Sequence, residues 1–367
     1  MEQHAFLALV RAGLWERSAC LTDMDISLLP GIYRLASEQS VTGLVAAGLE
    51  HLSGVRIPAK ELSPFMAAVM ASEQRNRDMD AFISALVSRL SDAGVHPLLM
   101  KGQGIAQCYE RPSWRTCGDV DLLLAEEDYR RAKEILLPGA KSKEQEVRYF
   151  RHQGMILDGW EVGLHGSVRT GLYRRLDRTL DGIQQEAFSQ GKARVWQNGG
   201  AEVSLPAPDE DVVFVFTHIL QHFYKGGIGL RQVCDWCRLL WTYRDALDVS
   251  LLASRLRQMR LLPAWRAFAA FAAAYLDMPV AAIPLYDDAD RWKRKARRIL
   301  SFILEVGNFG HNRDLSYYQN QSLWRRKAIS LGWRLRDLFR HARVFPLGTF
   351  RAATGILGHG LGSVFVK

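Results

Sequence analysis

The stretch CGDVDLLL, residues 117–124, places two aspartates one residue apart inside an apolar run. A β-strand sends successive side chains to opposite faces. Asp119 and Asp121 therefore share one face, while Val120, Leu122 and Leu124 share the other. Side-by-side carboxylates repel, and desolvation sharpens the repulsion. The leucines argue against an exposed edge strand carrying two solvated acids. A positive group between the two resolves the conflict, and a divalent cation is the leading candidate.

The flanking sequence builds a small α/β unit around this strand. VHPLLMKG (95–102) reads as a short buried strand entering a glycine turn, and MKGQG (100–104) would expose backbone N–H groups suited to phosphate. A helix over about 102–110 then leads to the Arg115–Gly118 turn. AEEDYRRAKEILL (125–137) opens acidic and closes apolar, as a crossover helix does. VRYFRHQ (147–153) and MILDGWEVGLH (155–165) read as two further strands. Counting by twos along the second puts Glu161, Gly163 and His165 on one face and Trp160, Val162 and Leu164 on the other. Asp158 would replace Glu161 only if a bulge at Gly159 shifted that parity. RVWQNGGAEVSL (194–205) reads as a hairpin turned at Asn198-Gly199. A third carboxylate beside the Asp119/Asp121 pair is enough to hold two Mg²⁺ ions, with nucleotide phosphates and water completing the octahedra.

Helices flank this unit. ELSPFMAAVMASEQRNRDMDAFISALVSRLSDAG (61–94) carries Met66, Val69, Met70, Met79, Phe82, Leu86 and Leu90 at helical spacing, with Ser63-Pro64 as a start and Asp92-Ala93-Gly94 as a stop. From Asp209 the pattern is helical to about residue 343, and the tail TGILGHGLGSVFVK is glycine-rich. The expected fold class is α+β. An N-terminal helical cap (1–94) precedes a minimal core with a mixed sheet (95–205), a C-terminal helical domain (206–345) and the tail (346–367).

Composition sets the outer limits. At 367 residues, 48% apolar and 24% charged, the chain can bury a full core in two or three folding units. It has no uninterrupted apolar stretch of membrane-span length and no signal-peptide pattern at its start. Five cysteines form an odd, sparse set that suits a reducing compartment, so a cytoplasmic location is expected. The net charge of +9 is concentrated. Residues 291–343 hold fourteen Lys or Arg against Glu305, Asp314 and Asp337. Such a region favours an anionic partner. Its SLWRRKAISLGWRLRDLFRHARVF segment (322–345) interleaves apolar residues with arginines, which fits either a covering surface helix or an anionic membrane surface.

The constellation resembles the polymerase-β-like nucleotidyltransferases, which combine a glycine turn, a strand with D-x-D and a third carboxylate on a later strand. More narrowly it resembles a bacterial nucleotidyltransferase family reading K-G, R-x-x-G-D-x-D and an acidic-x-x-x-His strand. Here these are Lys101-Gly102, Arg115 to Gly118-Asp119-Val120-Asp121, and Glu161 with His165. HFYKGGIGLRQVCDW (222–236) and FGHNRD (309–314) extend the likeness over about residues 40–340. The superfamily's turn is usually Gly-Ser or Gly-Gly, whereas Gln103 follows Gly102 here.

The resemblance implies NMP transfer from an NTP such as ATP to a hydroxyl of a small-molecule or protein acceptor, with release of pyrophosphate. Asp119, Asp121 and Glu161 would hold Mg²⁺ (or Mn²⁺), and Glu161 would accept the attacking proton. Lys101, Gly102, Arg115 and Gly118 would meet phosphate, with His165, Arg231 and Asp235 as further nucleotide contacts. On this reading His218 and His222 join Arg231 and Asp235 in the far wall of the cleft, and Asp235 is a second general-base candidate. The blander readings are an ion-pair role for Lys101, a turn role for Arg115, a core role for His165 and an interhelical ion pair for Arg231 and Asp235. Cys234 and Cys237 spell C-x-x-C within a helix, with no second pair, which favours core packing over zinc or redox chemistry. Nucleic-acid polymerisation fits less well, because stacking aromatics are not interleaved with the basic region. The competing class is a non-catalytic nucleotide- or partner-binding descendant that uses the basic C-terminal face.

Overall fold

The alternation read in CGDVDLLL organises the molecule. The computed structural model describes residues 1–19, 21, 25–308 and 323–353. Strand β2 (Asp119–Leu123) lies between β1 (Leu98–Met100) and β5 (Trp160–His165) in a five-stranded sheet of order β1-β2-β5-β4-β3, with β4 at His152–Leu157 and β3 at Ser142–Lys143. The β2–β5 pair is parallel, and every other pair is antiparallel. The fold is the expected α+β one with a mixed sheet.

One face of the sheet is dry. Val120 and Leu122 of β2, with Val162 and Leu164 of β5, pack against Met79, Ile83, Leu86 and Leu90 of α4 (Ala59–Asp92) and against Tyr129, Ala132 and Leu136 of α6 (Glu126–Leu136). Burying such side chains contributes about 1.5–3 kcal/mol each, which fixes the strand register and sends Asp119 and Asp121 to the other face. That second face looks toward α8 (Pro208–Lys225) and α9 (Leu230–Tyr243). These helices belong to a larger core with α1 (Glu2–Trp15), α2 (Leu29–Glu38), α3 (Thr42–Glu50), α11 (Leu262–Leu276) and α12 (Asp290–Val306). The helical C-terminal part also includes α10 (Val249–Gln258) and α13 (Leu323–Val344).

Several local expectations are corrected. VRYFRHQ is not a strand. Residues 147–151 form a turn, with Arg151 at φ 44°, and the strand starts only at His152. MILDGWEVGLH is a hairpin, because Asp158 (φ 50°) and Gly159 (φ 86°) form the two-residue turn between paired Leu157 and Trp160. The Asp-Gly signal was in the sequence. The β6–β7 hairpin (Arg194–Asn198, Ala201–Leu205) turns on Gly199-Gly200, because Asn198 pairs with Ala201. Helix α5 (Gly102–Ala106) stops short of residue 110, and α7 (Arg174–Ser189) fills a stretch with no sequence assignment. Helix α4 begins at Ala59 and carries Pro64 inside it, where proline leaves the Lys60 carbonyl without its intrahelical donor. Val69 is buried as expected, but Met66 and Met70 are exposed and Phe65 is buried instead. Cys234 and Cys237 are free thiols in the core. FGHNRD (309–314) and residues 354–367 lie outside the described residues.

Candidate active site

The polar face of β2 and β5 floors a cleft of about 600 Å³ whose opposite wall is α8 and the start of α9. In the parallel register Asp119 stands beside Glu161 and Asp121 beside Gly163. Asp119 and Glu161 are both exposed to the cleft, and neither forms an ion pair among the described residues. Like charges directly opposite each other cost several tenths of a kcal/mol unless a cation intervenes.

Asp121 is compensated differently. Lys101 Nζ lies 2.6 Å from its Oδ2, and His165 Nε2 lies 2.8 Å from its Oδ1. Burial alone would push this carboxyl up, but Lys101 and His165 outweigh it and hold it well below the usual carboxylate range. Gly163 makes the room. A Cβ there would stand 2.5 Å from Asp121 Oδ1 and 3.0 Å from His165 Nε2, so only glycine admits the carboxylate. Lys101 holds φ 54°, ψ −141°, a backbone conformation normally left to glycine, and Gly102 follows at φ 41°. This turn aims the ammonium into the cleft.

A chain of side chains extends from Lys101 into α8. Its Nζ is 3.3 Å from His218 Nε2, which is 2.9 Å from His222 Nε2. Burial, then Lys101, lowers the His218 imidazole strongly, and burial with Lys101 and Lys225 takes His222 down to about 4. Both rings are therefore neutral at pH 7. His152, paired with His165 across β4 and β5, is lowered by burial and by that neighbour.

The turn before Asp119 is held by its carbonyl groups. Asn76 Nδ2 donates to the carbonyls of Ser113 (2.7 Å) and Arg115 (2.9 Å), and Arg75 donates to those of Cys117 and Gly118 (both 3.3 Å). Arg75 also stacks on Trp160, 4.8 Å from the ring centre. The Thr116 carbonyl accepts from Arg231 Nη1 (2.8 Å) and Arg115 Nη1 (3.3 Å). Each bond is modest, but together they immobilise the segment that presents Asp119.

The residues to which the resemblance assigns a role all line this cleft: Lys101, Gly102, Arg115, Gly118, Asp119, Asp121, Glu161, His165, His218, His222, Arg231 and Asp235. Their engagements differ. Arg115 and Asp235 form a buried two-toothed ion pair (2.8 and 2.7 Å), with the Tyr109 hydroxyl donating to the same carboxylate at 2.8 Å. As placed, they brace the wall, and neither side chain is idle. Arg231 is the contrast: its Nε is buried without an acceptor, and it pairs with no carboxylate among the described residues. Burial, then the charge of Arg115, lowers its pKa. Gln103 is buried, its Nε2 has no partner among the described residues, and it is not part of the cleft wall. Arg75, Asn76 and His152 were not singled out from the sequence. They lie on a helix flank and a misplaced strand, and no motif marks them.

Among the described residues no group of three His, Cys, Asp or Glu side chains stands at metal-holding spacing. The donor chemistry nonetheless fits a hard divalent cation. Two unpaired carboxylates face each other, a third is on the same sheet face, and the cleft is open to a polyanion.

These features belong to a nucleotidyl-transfer fold, and the comparison with family models agrees. The chain belongs to a family described as uncharacterised nucleotidyltransferase, whose model matches residues 29–277. The matched span contains the whole sheet and both cleft helices. No curated protein and no solved structure matches the chain.

Proposed function

We propose that the protein transfers the nucleotidyl group of an NTP to a hydroxyl of a small-molecule or protein acceptor, releasing pyrophosphate. One observation carries this reading: Asp119 and Glu161 face each other across the parallel β2–β5 pair, open to the cleft and without a cation partner among the described residues. Asp119, Glu161 and Asp121 would hold Mg²⁺ (or Mn²⁺). Bound there, the metal would neutralise phosphate charge and acidify the acceptor hydroxyl.

The chain's own residues do the remaining work. Glu161, exposed at the floor, is placed to accept the proton of the attacking hydroxyl. Lys101 and Arg231 supply positive charge to the phosphates, and the unpaired Arg231 Nε gains an acceptor on binding. The Arg115–Asp235 pair and the donors on the 113–118 carbonyls keep Asp119 from moving.

A second reading has its own support. Both oxygens of Asp121 are already satisfied by Lys101 and His165, as a non-catalytic descendant would allow. Isothermal titration of each NTP, with and without Mg²⁺, separates the two. Metal-dependent binding of an NTP, lost in Asp119→Asn/Glu161→Gln, supports transfer. Metal-independent binding that survives in the variant supports the non-catalytic reading, and so does no binding at all.

A further inference from the structure

We propose that the face formed by α12 and the C-terminal half of α13 docks on an anionic lipid surface. The two helices run antiparallel: Lys295 Nζ reaches the Val344 carbonyl, Arg298 reaches the Arg343 carbonyl, and Glu305 meets Arg336 and Arg340. The cations of α12 thus cap the carbonyl end of α13 and fix the pair as one surface. The helix is interrupted at Phe345, and a second helical stretch over 346–353 follows, joined to α13 by Phe345 N–H to His341 O (2.7 Å) and Thr349 N–H to Phe345 O (2.8 Å).

Three large apolar side chains along this segment are exposed. Phe339, Leu347 and Phe350 are 76%, 69% and 74% exposed, while Val344, Phe345 and Ala352 are buried beneath them. At about 100° per residue, the three exposed apolar side chains fall within about 60° of Arg336 and Arg343 on one stripe. They are large apolar groups left exposed among the described residues. Beside them the solvent face of α12 from Arg291 to Arg298 carries basic residues and no acid, and Arg294 and Arg297 pair with no carboxylate among the described residues. Glu305 is an exposed acid on this face, and Arg336 and Arg340 already meet it.

Exposed phenylalanine and leucine, together with the basic face of α12 that carries Arg294 and Arg297, complement a negatively charged headgroup layer above acyl chains. A leucine has no use in stacking on bases, which disfavours nucleic acid as the occupant. No helix among the described residues is long and apolar enough to cross a membrane, so the contact is peripheral. This inference is independent of the chemistry proposed for the cleft.

The test is flotation of the full chain with vesicles of phosphatidylcholine alone, or with about a third phosphatidylserine. The wild type floats with the anionic vesicles, stays behind with neutral ones, and is released by salt. Arg294→Glu/Arg297→Glu lowers partitioning by at least roughly twenty-five-fold, about five-fold for each basic charge lost and more for each acid gained. Phe339→Gln/Leu347→Gln/Phe350→Gln lowers it as well, and the single Phe339→Gln substitutes if the triple variant does not fold. Absence of flotation, equal binding to neutral vesicles, or undiminished binding by either variant overturns the proposal. So does a concentration-dependent dimer dispersed by the apolar substitutions, or binding to an RNA oligonucleotide without binding to vesicles.

Discussion

Lys101 Nζ lies 2.6 Å from Asp121 Oδ2 on the face of the sheet where Asp119 and Glu161 lie side by side without a cation. The three acids that sequence groups together are thus electrostatically unlike. One is internally neutralised, and two are not. That difference has a stability signature. Asp121→Asn leaves a half-buried ammonium without its counter-charge and is expected to cost on the order of 3 kcal/mol. Asp119→Asn or Glu161→Gln relieves repulsion and is expected to raise stability by a few tenths of a kcal/mol. Urea melts of the three variants check the contrast, and equal destabilisation by all three would contradict it.

The Arg115–Asp235 pair is structural in this arrangement, because burial leaves neither side chain free to seek a ligand. Asp235→Ala strands a buried guanidinium and is expected to cost about 3–5 kcal/mol. Arg115→Met/Asp235→Leu, an apolar replacement of both partners, is expected to recover much of that loss. A thermal-unfolding cycle over the two single variants and the double variant measures it. An Asp235→Ala protein as stable as wild type would return Asp235 to the list of general-base candidates.

How much of this was readable from the chain varies by feature. The face shared by Asp119, Asp121, Glu161 and His165 follows from strand parity alone, because a buried β2 and β5 tolerate no slip. What parity does not carry is who neutralises whom. That Lys101 meets Asp121 depends on the turn that follows β1, and that Arg231 shares the Thr116 carbonyl with Arg115 depends on helix packing across more than a hundred residues. The misread VRYFRHQ strand shows another limit. Alternating aromatic and basic residues look like a strand, yet Arg151 sits at positive φ, where the chain folds back into β4. Arg75 and Asn76 were invisible for a simpler reason: polar residues on a long helix usually face water, and these two face backbone carbonyls.

Gly163 offers a clean steric probe. An added methyl would stand 2.5 Å from Asp121 Oδ1, so Gly163→Ala must displace the carboxylate or the strand. A cost of about 1–3 kcal/mol is expected, together with loss of metal-dependent nucleotide binding. Calorimetric binding and melting curves on the same preparation test it, and normal nucleotide affinity in this variant would show that Asp121 does not need its present position.

The neutral histidines of α8 predict an acid sensitivity distinct from that of the carboxylates. His222 is lowered in the folded state to about 4 against about 6.5 unfolded, so the unfolded chain binds more protons between those values. Stability is then fully present above pH 6.5 and falls as pH drops from about 6.5 toward 4, by on the order of 2 kcal/mol after discounting for partial exposure. The depressed Asp121 adds a further loss only below about pH 3.8. His222→Asn is expected to shrink the upper limb by its own share, leaving the part carried by the lowered His218 and His152, and to leave the lower limb unchanged. A pH series of urea melts separates them, and an unchanged upper limb in the variant would assign that limb elsewhere.

The most direct measurement is a Mn²⁺ titration followed by electron paramagnetic resonance, with and without a non-hydrolysable NTP analogue, on wild type and on Glu161→Gln. If Asp119 and Glu161 hold the catalytic cation, wild type removes Mn²⁺ from its free signal when the analogue is present, and the variant does so at least about ten-fold less tightly. Equal Mn²⁺ uptake by both proteins would contradict the account, and no uptake by the wild type would contradict it as well.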